Sequence, residues 1–119
     1  MKSNLLKTTL LLILTTLIVG CSSSSARKEV PLSVFSDPLG AYALLKVDYS
    51  DNRDSDWIFL GATPVKISKS IDFQKANKVS LRVIREDFVE QTKTWSAKEF
   101  KKMAKGNNKI FWSPAMIKN

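Results

Sequence analysis

Apolar and polar residues alternate along several short stretches of this chain, and alternation is the pattern of β-strands that bury one face. The clearest stretch, 79–85, would place three aliphatic side chains on one face: Val79, Leu81 and Val83. The stretches 30–36 and 65–68 alternate in the same way. The pattern therefore predicts a strand at each of these three places.

Two further stretches are apolar on both faces. The stretch 41–49 is rich in leucine, valine and tyrosine and becomes polar only at Lys46 and Asp48, which predicts a buried strand. The stretch 57–60 is similar, and it follows a polar loop at 50–56. Strands of this length and spacing predict a mainly β protein, a small β-sandwich.

Proline and glycine mark the turns between these strands. Pro38 restricts φ and Gly40 allows a positive φ, so the pair predicts a tight turn, while Ala41 leaves room for close packing. Gly61 and Pro64 mark the next corner in the same way. We interpret both motifs as parts of the scaffold rather than as ligand sites.

The C-terminal part carries the signature of one short helix. Ser96 and Glu99 form a capping box, in which the Ser96 hydroxyl accepts from the Glu99 amide and the Glu99 carboxylate accepts from the Ser96 amide. Trp95 before the cap and Phe100 after it form a hydrophobic staple. These signals predict a helix over about 97–105.

Gly106 is the predicted end of this helix, because glycine is the most frequent residue just beyond a helix C-terminus. Three apolar side chains would share the inner face of the helix: Phe100, Met103 and Ala104. A last strand is predicted over 109–112, before Ser113 and Pro114.

A different pattern stands at the start of the chain, where a mostly apolar run over 10–19 follows Lys2 and Lys7. This is the layout of an export signal, and the run is shorter than the about 20 apolar residues of a membrane-spanning helix. The four residues 18–21, Ile-Val-Gly-Cys, resemble the lipobox of bacterial lipoproteins. The resemblance implies cleavage between Gly20 and Cys21, with lipid on the Cys21 thiol and on the new amino group. An ordinary secretory signal with a chance cysteine is the alternative.

The domain organisation follows from that cleavage. We predict a signal peptide at 1–20, a flexible serine-rich tether at 21–29 and one domain at 30–119, which is enough for a single small core. Because Cys21 is the only cysteine, the domain has to be stable without disulfides. The lipoprotein resemblance, with Ser22 after the cysteine, implies anchoring in the cell envelope, in the outer membrane facing the periplasm where the cell has two membranes.

The order of the two turn motifs resembles that of PEGA domains. One motif matches the Pro-x-Gly-Ala signature and the other the later Gly-x-Thr-Pro element of that family, and the matching residues are Pro38, Gly40, Ala41, Gly61, Thr63 and Pro64. The chain departs from the family at Leu39 and Asp87, where the family has glutamate and glycine. The resemblance covers about 30–95 and implies a prealbumin-like β-sandwich that serves envelope proteins as a non-catalytic module.

Positive charge is concentrated in the second half of the chain. The residues 66–119 include thirteen basic and five acidic side chains, whereas 21–65 carries four basic and six acidic ones. A basic half typically indicates nucleic acid or an anionic surface. Export argues against nucleic acid, which leaves anionic lipid headgroups, lipopolysaccharide, peptidoglycan or an acidic protein. A merely solvated lysine-rich surface is an equally good interpretation.

The composition excludes most catalytic machinery. The chain has no histidine and a single cysteine, so Ser-His-Asp and Cys-His sites and the usual zinc ligand sets are absent. It also has no phosphate-binding glycine loop. We therefore expect a protein that is not an enzyme and holds no metal or cofactor, and a carboxylate-only hydrolase is the remote alternative.

Two clusters are candidate functional sites. The first combines basic side chains of the predicted helix with the last strand: Lys98, Lys101, Lys102, Lys105, Lys109 and Trp112. Basic groups beside aromatic rings would suit sugars, peptidoglycan stems or headgroups, although aromatic residues in a terminal strand usually belong to the core. The second is the loop 50–56, where Asp54 and Asp56 would chelate calcium. It lacks the glycine and distal glutamate of an EF-hand and contains Arg53, which favours a solvated hairpin tip.

These observations predict a lipid-anchored envelope protein whose PEGA-like domain acts as a binding or assembly module. Its partners would be the membrane, through the N-terminal lipid, and an envelope protein contacted by the lysine-rich helix. Direct binding of peptidoglycan or another anionic envelope polymer is the alternative.

Overall fold

Seven strands and one helix make up the part of the chain that the computed structural model describes, which is residues 27–51, 53 and 55–119. In chain order they are β1 (Arg27–Val34), β2 (Tyr42–Tyr49), β3 (Ile58–Ala62), β4 (Val65–Asp72), β5 (Ala76–Ile84), β6 (Gln91–Ser96), α1 (Ala97–Asn107) and β7 (Ile110–Trp112). The predicted signal at 1–20, with Gly20, and the lipidation residue Cys21 lie outside the described residues. Within those residues, no helix is long and apolar enough to cross a membrane.

The strands form two sheets that pack face to face. One has the order β4-β1-β7 and the other the order β3-β2-β5-β6. Neighbouring strands are antiparallel except for β1 and β7, which run parallel. The mainly β prediction, a small β-sandwich with one short C-terminal helix, is therefore confirmed.

Alternating side chains of the two sheets fill the space between them. From the three-stranded sheet come Val30, Leu32, Val34 and Ile110, and from the four-stranded sheet Ala43, Leu45, Val47, Val79, Leu81 and Val83. Helix α1 adds Phe100, which is fully buried. This confirms the predicted inner face of the strand at 79–85.

Two strand predictions need correction. The first strand begins at Arg27 and not at Val30, because Arg27 already pairs with Asp72 of β4. The predicted tether therefore does not extend over 27–29. The second strand is not buried on both faces. Its odd-numbered residues 43, 45 and 47 point into the core, whereas Tyr42 is exposed on the other side.

The sequence pattern did not predict strand β6. It lies at the edge of its sheet, pairs only with β5, and buries Trp95 alone among its six residues. An edge strand with so little apolar content gives no alternation of apolar and polar residues to detect.

The helix begins where it was predicted to begin, but it ends later than predicted. The Ser96 hydroxyl accepts from the Glu99 amide at 3.2 Å, and the rings of Trp95 and Phe100 lie 5.5 Å apart, as the cap and the staple require. The helix runs on through Gly106 to Asn107, and it is capped by Asn108, whose φ of 59° is left-handed. Asparagine is the other residue that adopts this conformation readily, and here it is the cap.

The two turn motifs meet at one corner of the sandwich. Gly40 and Gly61 both have positive φ, 96° and 136°. The Thr63 hydroxyl accepts from the amides of Gly40 and Ala41, each at 3.0 Å, and lies 2.5 Å from the hydroxyl of Ser36. The predicted scaffold role of both turns is thus visible as direct hydrogen bonds between them.

Candidate functional site

The helix lysines form one exposed stripe. Ala97 and Phe100 hold α1 against the sheets, and four lysines lie on its exposed surface: Lys98, Lys101, Lys102 and Lys105. None of the four is in an ion pair with another described residue. We call these four residues the lysine stripe. Their charge is therefore available to an anionic partner.

A groove runs between the lysine stripe and the beginning of β1. Its volume is about 360 Å³, and Lys101 and Lys105 line it from the helix while Lys28 and Glu29 line it from the strand. Val30 and Phe73 add apolar surface. We call this the helix groove.

Lys109 lies on the other side of the helix, in a second hollow. This hollow measures about 520 Å³ and is bounded by Lys93, Trp95 and Phe111, whose ring is 59% exposed. The Lys93 ammonium lies 5.2 Å from the centre of the Trp95 ring, at the distance of a cation–π contact. The predicted cluster is therefore divided, because Lys101 and Lys105 line the helix groove whereas Lys109 lines the second hollow.

Trp112 belongs to the packing more than to the open surface. It is half-buried and packs edge-on against Trp95 with 6.5 Å between the ring centres. The neighbouring aromatic residue of the same strand, Phe111, is the exposed one.

Two charged residues of the hairpin tip at 50–56, Asp51 and Arg53, pair with each other. The Arg53 guanidinium donates to both carboxylate oxygens of Asp51 at 2.5–2.9 Å and stacks 4.3 Å from the centre of the Tyr49 ring. These hydrogen bonds hold the pKa of Asp51 at about 2, below its ordinary 3.8, and the pKa of Arg53 is raised. Lys75 lies 3.5 Å from the same carboxylate.

A calcium ion would have to compete with these cations. Residues 52 and 54 of the loop are outside the described part, and within the described residues no three acidic side chains are placed to hold a metal ion. Of the predicted ligands, Asp56 accepts from the Trp57 amide at 2.8 Å, and the Arg53 guanidinium occupies the oxygens of the neighbouring Asp51.

One exposed apolar surface of the described residues was not predicted from the sequence. It lies on the outer side of the four-stranded sheet, where Tyr42 is 56% exposed, Phe59 is 60% exposed and Ile84 is 37% exposed. The register places these side chains together, because Tyr42 is opposite Ile84, Leu44 is opposite Phe59, and the rings of Tyr42 and Phe59 are 5.8 Å apart. We call Tyr42, Leu44, Phe59 and Ile84 the aromatic face.

Charged groups beside the aromatic face neutralise one another. Arg82 donates to Glu90 at 2.8 Å while its guanidinium stacks 4.0 Å from the centre of the Trp57 ring. Lys46 lies 3.8 Å from Asp48. The surface around the exposed rings is thus close to electrically neutral, unlike the lysine stripe.

One sequence signal could have revealed the aromatic face. The stretch 41–49 is apolar on both faces, but a two-sheet sandwich covers only one side of each sheet. A second apolar side in such a strand has to face solvent or a partner.

No known protein family matches this chain, and neither does any curated protein or solved structure. The resemblances to lipoproteins and to PEGA domains therefore stay predictions from the sequence.

Proposed function

We propose that this protein is a lipid-anchored, non-catalytic module of a bacterial cell envelope that docks onto another envelope protein. The lipobox-like residues 18–21 support the anchor, and the PEGA-like turn motifs support the module. The observation that carries the docking role is the aromatic face.

Exposed rings at this density favour a protein partner. Monomeric proteins rarely leave several large apolar side chains together in water, and aromatic residues are enriched at protein interfaces. The neighbouring cations Arg82 and Lys46 are already paired with Glu90 and Asp48, so they offer little charge to a polyanion. An apolar protein surface suits the aromatic face better than an anionic polymer does.

Photo-crosslinking in cells tests the docking role. A photoreactive residue at Phe59 should capture a defined protein, and the same residue at Ser68 should not, because Ser68 is also exposed but lies on the other sheet. Capture of the same protein from both positions, or of none from Phe59, would contradict the proposal. Phe59→Ala should reduce recovery of the partner without unfolding the domain, since the ring is mostly in solvent.

The anchor has a separate test. Metabolic labelling with palmitate should mark the chain at Cys21, and Cys21→Ser should abolish both the label and membrane retention. A labelled Cys21→Ser variant would refute the lipobox assignment.

A second candidate function is direct binding of peptidoglycan or another anionic envelope polymer. The hollow between α1 and β7 favours it, because Lys93 and Lys109 stand there beside the Trp95 and Phe111 rings. Co-sedimentation with purified sacculi should then be salt-sensitive and should fall when Lys93 and Lys109, the two cations of this hollow, become Glu. Absence of pelleting by the unaltered protein rules this candidate out.

A further inference from the structure

The helix groove lies beside the N-terminal end of β1, and this position distinguishes it from the other surfaces described above. The chain enters β1 at Arg27, and the next residue, Lys28, already lines the groove. Cys21 is only six residues before Arg27, and six extended residues reach about 20 Å at most. A lipid on Cys21 would therefore keep the groove within about 20 Å of the bilayer surface.

The chemistry of the groove fits the boundary between headgroups and acyl chains. Lys28, Lys101 and Lys105 outnumber the one carboxylate, that of Glu29, and Lys105 also offsets the negative dipole end of α1. Lysine ammonium groups bind phosphate as point charges, and a cytoplasmic or periplasmic bilayer surface rich in anionic lipid attracts them.

Apolar groups stand directly beside these charges. Val30, Phe73 and Ala104 line the same groove, and the Lys101 ammonium lies 5.9 Å from the centre of the Phe73 ring. A surface that combines lysine heads with an aromatic ring can contact both the phosphate and the upper acyl region of a lipid.

From these observations, and on the basis of the proposed lipid anchor, we infer that the helix groove seats the phosphate of an anionic phospholipid headgroup in the membrane that holds the N-terminus. The domain then stands with the beginning of β1 and the end of α1 against the bilayer. The corner at Gly40 and Thr63 lies at the opposite end of the strands, about 30 Å away along the nine residues of β5. The aromatic face runs along the side and stays open to a protein partner.

Site-directed fluorescence quenching tests this orientation. A fluorophore is attached to Gln74→Cys, beside Phe73 at the groove, or to Leu39→Cys at the far end, where the side chain is 53% exposed. The full chain is placed in vesicles of phosphatidylcholine with or without phosphatidylglycerol, each carrying a lipid with a quencher on its headgroup. We expect quenching at position 74 to rise with phosphatidylglycerol and to fall with added salt, and quenching at position 39 to stay low in both vesicles.

Two matched variants identify the groove as the cause. Changing Lys28, Lys101 and Lys105 to Gln should remove the effect of phosphatidylglycerol, at about fivefold in apparent affinity per lysine. Changing Lys66, Lys78 and Lys118 to Gln removes the same charge from exposed lysines elsewhere and should leave the effect in place. Equal responses of the two variants, or equal quenching at positions 74 and 39, would overturn the inference.

Two further measurements distinguish a lipid headgroup from free phosphate and test the lipid anchor independently. Inorganic phosphate added without vesicles should leave the fluorescence at position 74 unchanged, and a response as large as that to phosphatidylglycerol would overturn the assignment to lipid. Thiol labelling of the parent chain reports the anchor independently, because a lipidated Cys21 does not react. If Cys21 reacts, the proposed anchor fails, and the same quenching comparison in a Cys21→Ser background still decides whether the groove binds the headgroup.

Discussion

At the scale of single residues, the Thr63 side chain makes three hydrogen bonds that join the two turn motifs. Its oxygen accepts from the amides of Gly40 and Ala41, so both lone pairs are used and its own proton goes to Ser36. The Ser36 hydroxyl in turn donates to the carbonyl of Pro38 at 2.8 Å. The Thr63 hydroxyl therefore links the β1–β2 turn to the end of β3 through hydrogen bonds.

Replacing Thr63 with valine should lower the free energy of unfolding by roughly 1–3 kcal/mol, because the buried Ala41 amide loses its acceptor while the shape of the side chain is kept. Urea denaturation measures the change. Thr63→Ser is the control, since it retains the oxygen and should be the milder change. A valine variant as stable as the serine variant would show that the hydrogen bonds do not hold the corner.

The pair of Asp51 and Arg53 gives a prediction about pH. Arg53→Gln removes the guanidinium, so the pKa of Asp51 should rise from about 2 towards 3.8 in an NMR titration of the carboxyl carbon. Because the folded-state pKa is depressed, the stabilisation that it reflects is present above pH 3.8 and is lost as the pH falls through 2. The variant should therefore lose less stability than the parent over that interval.

Arg53→Lys is the matched control for this titration. It keeps a positive charge but loses the two-point geometry of the guanidinium, so the Asp51 pKa should fall between those of the parent and the glutamine variant. An unchanged pKa in Arg53→Gln would mean that the guanidinium is not its cause.

At the scale of the elements, replacing two glycines with alanine should change the stability in opposite directions, because their surroundings differ. A methyl group on Gly61 would stand 3.3 Å from the Val65 side chain, and the φ of 136° is one that other residues rarely adopt. Gly61→Ala should therefore destabilise the β3–β4 corner by about 1–3 kcal/mol.

Gly106 lies inside α1, and beyond its chain neighbours and the backbone of the helix itself no heavy atom lies within 4 Å of an added methyl group. Alanine there reduces the freedom of the unfolded chain and favours the helix, so Gly106→Ala should stabilise the protein by about 0.5–1 kcal/mol. Thermal unfolding of the parent and the two variants measures both changes in stability. The unfolding temperature should fall for Gly61→Ala and rise for Gly106→Ala. Destabilisation by Gly106→Ala would mean that the helix needs glycine at its end, as the sequence pattern had predicted.

At the scale of the whole molecule, the residues after β7 join turns from both sheets. The Met116 amide donates to Asp37 at 2.8 Å, the Val89 amide donates to Ile117 at 2.7 Å, and the Met116 side chain is 9% exposed. The C-terminal residues thus contact the β1–β2 turn and the β5–β6 turn at the same time.

Met116→Ala should cost about 2 kcal/mol, since it removes a side chain that packs against the core at this junction. Ile117→Ala is its neighbour control and should change the unfolding free energy by less than about 0.5 kcal/mol, because that side chain is 64% exposed. Equal effects of the two changes would indicate that the C-terminal residues act only through their backbone.

The candidate sites were only partly predictable. The lysine stripe is visible in the sequence because a capping box and an apolar face define the helix and leave Lys98, Lys101, Lys102 and Lys105 outside. The helix groove is not visible, because Lys28 comes next to Lys101 only through the packing of β1 beside α1. The aromatic face depends in the same way on the pairing of β2 with β3 and β5.

The sequence by itself determined the local features: which stretches alternate, where Ser96 caps a helix, and where Gly40 and Gly61 turn the chain. These depend on φ preferences and on side chains a few residues apart, which act over one turn or one pleat. Only the tertiary structure decided the edge strand β6, the helix groove and the exposed side of β2. Each of those depends on what packs beside the strand or helix, and residues far apart in the chain supply that neighbour.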